Sequence, residues 1–196
     1  MKKVIITNGS GTNGKDTFSN LLNKYIPTHK YSSINLVKQM LEIAGVDTNN
    51  KTEELRKLCS DIKDILTKYG DIPFKDVSSI VMDFKDNLIE TDVLLIDIRE
   101  PEEIARAVKI FGAETILIRN PNVAAITTNH ADANVENYTY DYIIENNGTL
   151  EHLEEVAKEF AKYIQNKNDF FPNNASCILN SDGKTTMVFE CNKMLR

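Results

Sequence analysis

Gly9-Ser10-Gly11-Thr12-Asn13-Gly14-Lys15-Asp16-Thr17 lies between the apolar run Lys3-Val4-Ile5-Ile6-Thr7 and a segment that places Phe18, Leu21 and Leu22 on one side of a helix. Strand, glycine-rich turn and helix follow one another, so the turn sits at the carboxyl end of a buried strand. Gly9, Gly14 and Lys15 have the spacing G-x-x-x-x-G-K of a phosphate-binding loop, or P-loop. Glycines let such a loop wrap with its N–H groups pointing inward, and the amino end of the next helix adds its own donors. The lysine reaches the β- and γ-phosphates of a bound nucleotide. Gly9, Gly11, Thr12, Asn13, Gly14, Lys15, Asp16 and Thr17 are therefore the expected nucleotide-binding residues, with Lys15 also catalytic.

The loop departs from the pattern at one position. The residue after the lysine is ordinarily Ser or Thr, which ligates magnesium; here it is Asp16, with Thr17 one place later. A carboxylate is a hard oxygen donor and suits Mg²⁺ directly or through water. Left unshielded, it repels a triphosphate. Asp16 reads either as a metal ligand or as an uncompensated local acid, and the loop is expected to depend on a divalent ion.

Further along the chain, Val93-Leu94-Leu95-Ile96-Asp97-Ile98, Thr115-Ile116-Leu117-Ile118 and Tyr142-Ile143-Ile144 are apolar throughout rather than alternating. Such runs, separated by helical patterns, describe a parallel sheet covered on both faces, hence an α/β, three-layer P-loop fold. Pro101 with Glu102 and Glu103 opens a helix whose apolar stripe is Ile104, Ala105, Val108 and Phe111, and Gly112 closes it. Thr149 caps a second helix with a stripe of Leu150, Leu153, Val156, Ala157, Phe160 and Ile164. The stretch before Val93 is too long for one crossover helix. Leu55, Leu58, Ile62, Ile65, Leu66 and Tyr69 mark one helix in it, starting after Thr52. Val77, Ile80, Val81, Phe84 and Leu88 mark another. The expected organisation is one domain over 1–165 with a helical insertion at about 34–88. A C-terminal extension, 166–196, forms a hairpin through the Ser181-Asp182-Gly183 turn.

Asp97-Ile98-Arg99 closes the Val93 strand, at the sheet edge where open parallel sheets bind ligands. Asp97 there suits the water shell of a metal or the incoming nucleophile; an edge salt bridge or a helix cap is the other reading. Arginine occurs only at Arg56, Arg99, Arg106, Arg119 and Arg196, among 23 cationic side chains. Sparing use of the fork-shaped donor points to phosphate contacts at some of these positions. Arg99 and Arg119 follow strand ends. Arg56 and Lys63 are seven residues apart and share a helix face, which reads as a phosphate site or as a solvated surface. Arg106 reads as surface.

Composition narrows the partners. The chain has 196 residues, a net charge of −6, 41% hydrophobic and 27% charged residues. That balance describes a folded domain, neither a low-complexity nor a disordered chain. The negative charge argues against a nucleic-acid groove. No apolar run approaches the roughly 20 residues of a membrane span, and the amino end lacks a signal-peptide core, so a cytoplasmic protein is expected. Three cysteines, Cys59, Cys177 and Cys191, include no C-x-x-C pair, and three histidines are too few for a zinc cluster. Cys177 and Cys191 are placed to face each other across the hairpin as packed thiols.

The Gly-Lys-Asp loop, the Asp-x-Arg strand end and Tyr142-Ile143-Ile144-Glu145-Asn146-Asn147-Gly148-Thr149 together resemble the P-loop nucleoside monophosphate kinase superfamily. Within it they are most similar to phage-type deoxynucleoside monophosphate kinases and animal-type phosphomevalonate kinases. The likeness covers residues 3–20, 93–119 and 140–155, and more weakly 51–63. It implies an ATP- and Mg²⁺-dependent phosphotransferase acting on a (deoxy)nucleoside monophosphate or similar small phosphorylated acceptor. In that scheme Arg56, Lys63 and Arg99 bind the acceptor. Asn146 and Gly148 lie near the donor base, and Asp16 and Asp97 serve the metal. A lid spans about 120–138 and includes Asp132, Ala133, Asn134, Val135 and Glu136. Family lids supply arginines, yet here only Arg119 stands at the entrance, with His130 a surface residue. Arg119 swings in as a catalytic residue, or the other subunit of a homodimer contributes, or transfer is slow. The alternative class is an ATP-binding switch or regulator with little transfer activity.

Overall fold

The computed structural model describes residues 2–50, 52–123, 134–166, 172 and 174–190. The chain divides into two compact units, 1–30 with 91–196, and 31–90.

The first unit is built on a sheet in the order β2-β3-β1-β4-β5-β7-β6. Its strands are β1 (Lys3–Asn8), β2 (Thr28–Ser32, which runs on into the second unit), β3 (Val93–Asp97), β4 (Glu114–Arg119), β5 (Tyr142–Glu145), β6 (Ala175–Leu179) and β7 (Thr185–Glu190). β1 lies parallel between β3 and β4, β4 pairs parallel with β5, and β5 with β7. Only β6 and β7 are joined as an antiparallel hairpin among the pairings described. The mostly parallel α/β architecture expected from the continuous apolar runs is the one observed.

Both faces of the sheet are covered. Helices α1 (Lys15–Leu22) and α6 (Leu150–Gln165) bury Phe18, Leu21, Leu22, Leu153, Val156, Ala157 and Phe160 with Ile5, Leu95, Ile116, Ile118, Tyr142 and Ile144. Phe160 is the centre of this layer, its ring 5.9 Å from Phe18, 5.2 Å from Tyr142 and 5.4 Å from Phe189. Burying each such side chain contributes about 1.5–3 kcal/mol. Alternate strand residues, Ile6, Leu94, Ile96 and Leu117, are buried on the opposite face, where α5 (Pro101–Phe111) packs on β1 and β4.

Three details differ from the sequence reading. α5 buries Ile104, Ala107 and Phe111, while Ala105 is exposed. Helical phase places 104, 107 and 111 on one stripe, and 105 lies a step round the helix. Leu150, at the first position of α6, is 57% exposed because the stripe meets the sheet only from Leu153 onward. The C-terminal hairpin does not stand apart: β7 continues the sheet beside β5. Within it Cys177 is exposed and stands opposite Met187. Cys191, expected to face it across the hairpin, lies outside the described residues.

The second unit is helical: α2 (Asn35–Ile43), α3 (Glu53–Gly70) and α4 (Ile72–Lys85). Thr52 caps α3 by accepting from the Leu55 amide. Val37, Leu41 and Cys59 form its small core, with Leu55, Ile62 and Leu66 packed against them. Leu58, Ile65 and Tyr69 of the expected α3 stripe, and Leu88 beyond α4, are exposed instead.

Candidate functional site

The carboxyl ends of β1, β3, β4 and β5 bring four segments to one sheet edge. β1 ends in Thr7 and Asn8, both buried. The chain then turns through Gly9 at φ 145°, Thr12 at φ 68° and Gly14 at φ 93° before α1 begins. Gly9 is required by space as well as by backbone conformation, because a Cβ there lies 2.3 Å from the Ile118 carbonyl oxygen. At Gly14 a Cβ meets Asn146 Nδ2 at 2.4 Å. Thr12 is the exception, a β-branched residue held in the left-handed region, an arrangement that costs on the order of 1–3 kcal/mol. Its hydroxyl donates to the Gly11 carbonyl.

Neighbouring strands brace the loop. Asn13 Nδ2 donates to the Ile118 carbonyl at 3.5 Å, and Asn146 Nδ2 donates to the Asn13 carbonyl at 3.1 Å. Asn146, expected near a donor base, is thus in contact with the loop, and Gly148 lies exposed two residues on. Lys15 folds back over the loop and donates to the Gly9 carbonyl at 2.9 Å. Burial lowers its pKa, Asp97 opposes the shift, and Arg99 and Lys30 add to it. Those charges therefore share one environment. Asp16 and Thr17, the next two residues, are exposed.

Asp97 and Asp16 converge on one cation, the ammonium of Lys30 from β2. Lys30 Nζ lies 3.2 Å from Asp97 Oδ2 and also pairs with Asp16. Thr7, opposite Asp97 in the β1–β3 register, donates its hydroxyl to the same carboxylate. Burial works against the charge on Lys30, but Asp97 and Asp16 outweigh it and raise the pKa. Of the two readings of Asp16, metal ligand or uncompensated acid, the second must take account of a resident counter-charge, since Lys30 pairs with it. Nothing in the polar segment Thr28-His29-Lys30-Tyr31-Ser32 marks it as a strand, so Lys30 escaped the sequence reading. Thr7 was within reach, since two parallel strands ending together place their last residues side by side.

Arg99 is half-buried at the same edge, and its backbone carbonyl accepts from Asn8 Nδ2 at 3.1 Å. Asn8 also donates to the Tyr140 hydroxyl and receives the Gly9 amide on Oδ1. Arg119 is engaged elsewhere. Its guanidinium donates to Glu145, opposite it in the β4–β5 register, through Nε at 3.1 Å and through a second nitrogen, and lies 3.7 Å from Glu136. Its hydrogen bond with Glu145 raises its pKa. His130, Asp132 and Ala133 of the expected lid lie outside the described residues, which include Asn120–Val123 and Asn134–Tyr138 of that segment.

Arg56 and Lys63 belong to the second unit. Both are half-buried on α3, and Lys63 Nζ donates to Ser33 Oγ at 3.0 Å. They share a helix face, as their spacing requires.

No family model matches the chain, and no curated protein matches it in sequence. Solved structures do resemble it. The crystal structure of TT1252 from Thermus thermophilus aligns with a TM-score of 0.51 and 16% identity, covering 83% of this chain and 98% of that one. A shikimate kinase from Aquifex aeolicus aligns with a TM-score of 0.46 and 16% identity, over 84% of this chain and 97% of its own. At 16% identity, TT1252 is a likeness of fold, and the reaction does not follow from it.

The donor set fits a nucleotide with Mg²⁺. Two carboxylates already gather around a positive charge, and Mg²⁺ is characteristically held by one or two carboxylates together with phosphate oxygens. Lys15 shares an electrostatic environment with Asp97, Arg99, Lys30 and Asp16. Among the described residues no group of three or more His, Cys, Asp or Glu forms a self-sufficient metal site. A Mg²⁺ ion held there would take its remaining ligands from phosphate oxygens and water. No described helix is long and apolar enough to cross a membrane.

Proposed function

We propose that the chain is an ATP-dependent phosphotransferase acting on a (deoxy)nucleoside monophosphate or a similar small phosphorylated acceptor. One observation carries this reading. A glycine loop with a folded-back lysine lies against a strand end that presents a carboxylate and an arginine two residues apart, Asp97 and Arg99. In this scheme the loop amides and Lys15 hold the donor phosphates. Asp16 and Asp97 hold Mg²⁺, which supplies charge neutralisation on the phosphates when bound. Arg99 grips the acceptor phosphate with its planar fork, and Arg56 and Lys63, which share a face of α3, are the helical unit's own candidates for phosphate contacts. The catalysis is mostly positioning and electrostatic stabilisation. The reaction takes place in the cytoplasm, with no nucleic acid or membrane partner.

A second reading, an ATP-binding regulator with little transfer activity, is favoured by the state of Arg119. A transition-state arginine is worth about 10³–10⁵-fold in rate, and this one is committed to Glu145 and Glu136. An arginine from the second subunit of a homodimer is another source. Incubation of the purified protein with ATP, Mg²⁺ and a panel of nucleoside monophosphates and other small phosphorylated compounds separates the readings. ADP that forms only when one acceptor is present establishes the kinase. ATP binding without acceptor-dependent ADP establishes the regulator.

A further inference from the structure

The functional reading leaves Lys30 without a role. It lies outside the glycine loop and the Asp-x-Arg strand end, yet its ammonium occupies the point where Asp16 and Asp97 meet. Asp16 comes from the first turn of α1 and Asp97 from the end of β3, and the two acids would repel each other if nothing lay between them. Asp97 is additionally fixed by the Thr7 hydroxyl, so it cannot turn away at no cost. The Lys30 side chain is 29% exposed and its stem carries four flexible bonds, so the ammonium has both a polar resting place and a way out of it.

We propose that Lys30 is an internal stand-in for the divalent cation: it holds Asp16 and Asp97 together in the nucleotide-free protein and is displaced from the pair when the cation arrives. The inference rests on the reading of Asp16 and Asp97 as cation ligands. It extends that reading by making cation binding a competition. The carboxylate pair stays assembled in the absence of metal. A divalent ion alone must evict a paired ammonium and gains only two protein ligands. A divalent ion that arrives with a polyphosphate brings further oxygen ligands of its own. Lys30 thus biases the site toward loading metal and nucleotide together and against filling by free metal.

The competition is measured directly with Mn²⁺ as the probe, by paramagnetic resonance of the free ion in the absence of nucleotide. Lys30→Met keeps the length of the stem and removes the competitor, so Mn²⁺ binding tightens at least about tenfold; Lys30→Arg keeps the charge and brings no such gain. Adding Asp97→Asn to Lys30→Met removes the gain. A folded Lys30→Met protein that binds Mn²⁺ no more tightly than the wild type, including no detectable binding by either, overturns the proposal. So does a gain that survives Asp97→Asn. A second measurement uses the wild-type sequence, in case Lys30→Met does not fold. Reductive ¹³C-methylation labels the lysines, and the Lys30 resonance, assigned by its loss in Lys30→Arg, shifts on titration with Mg²⁺. A Lys30 resonance that stays put at saturating Mg²⁺ overturns the proposal as well. Neither measurement reads transfer, so failure of the acceptor panel and failure of the competition are separate results.

Discussion

The side-chain amide of Asn8 donates to the hydroxyl of Tyr140 at 2.7 Å, and both residues are buried. This bond joins the first turn of the glycine loop to the chain just before β5. Asn8 spends its other amide hydrogen on the Arg99 carbonyl and its oxygen on the Gly9 amide. Tyr140 in turn donates to the carbonyl of Val135 at 2.8 Å. One buried asparagine therefore ties together the loop, the Asp-x-Arg strand end and the entry to β5.

Tyr140→Phe removes the hydroxyl and keeps the ring. It leaves one Asn8 hydrogen and the Val135 carbonyl without these partners, a loss of about 1–3 kcal/mol. Urea denaturation reads this as a lower midpoint with an unchanged slope. A midpoint equal to the wild type would show that water replaces the hydroxyl at no cost.

Under the proposed function, Lys15→Ala removes the charged donor to the phosphates. A hydrogen bond to a charged group is worth about 1.5–3 kcal/mol, so ATP binding weakens roughly 10- to 100-fold. Lys15 contributes no side chain to the apolar core, so the variant still folds. Calorimetric titration with ATP and a thermal melt check both halves. Equal ATP affinity in variant and wild type rules out the P-loop assignment.

Gly14→Ala adds a methyl at a position with φ 93°, 2.4 Å from Asn146 Nδ2. Either the loop shifts or Asn146 gives up its bond to the Asn13 carbonyl. ATP affinity falls, and stability drops by about 1 kcal/mol or more from the left-handed backbone alone. Native affinity and stability together would mean the loop is not set by this contact.

Arg99→Lys keeps the charge and loses the bidentate fork. Under the proposed function, the KM for the acceptor rises about tenfold or more while the KM for ATP moves little. An effect confined to ATP would place Arg99 on the donor side.

Alkali provides a test of the fold itself. Burial raises the pKa values of Tyr140 and Tyr142, with the Glu114 carboxylate adding to the shift at Tyr142. Burial and Asp76 do the same for Tyr31. The ordinary tyrosine value is 10.0. A raised folded pKa means that the folded state keeps its proton where the unfolded chain loses it. The contribution is full below pH 10 and declines as pH rises above it. Ultraviolet titration therefore shows some of the 7 tyrosines ionising late, together with unfolding. Reversible ionisation of all of them near pH 10 in a protein that stays folded contradicts this burial.

Local sequence determined what depends on neighbours along the chain. The runs at Val4–Ile6, Val93–Ile96, Thr115–Ile118 and Tyr142–Ile144 had to be buried strands because they carry no polar face. Gly9, Gly14 and Lys15 had to form a turn into a helix, and Thr52 and Thr149 had to cap helices. Tertiary structure decided what depends on register. β2 carries no apolar run, so its place beside β3 is invisible in Thr28-His29-Lys30-Tyr31-Ser32, and with it the cation that joins Asp16 to Asp97. The capture of Arg119 by Glu145 follows from a β4–β5 pairing that aligns residues 26 apart. A continuous apolar run along the chain marks a buried strand, but the partner of a charge is chosen by which elements meet in space.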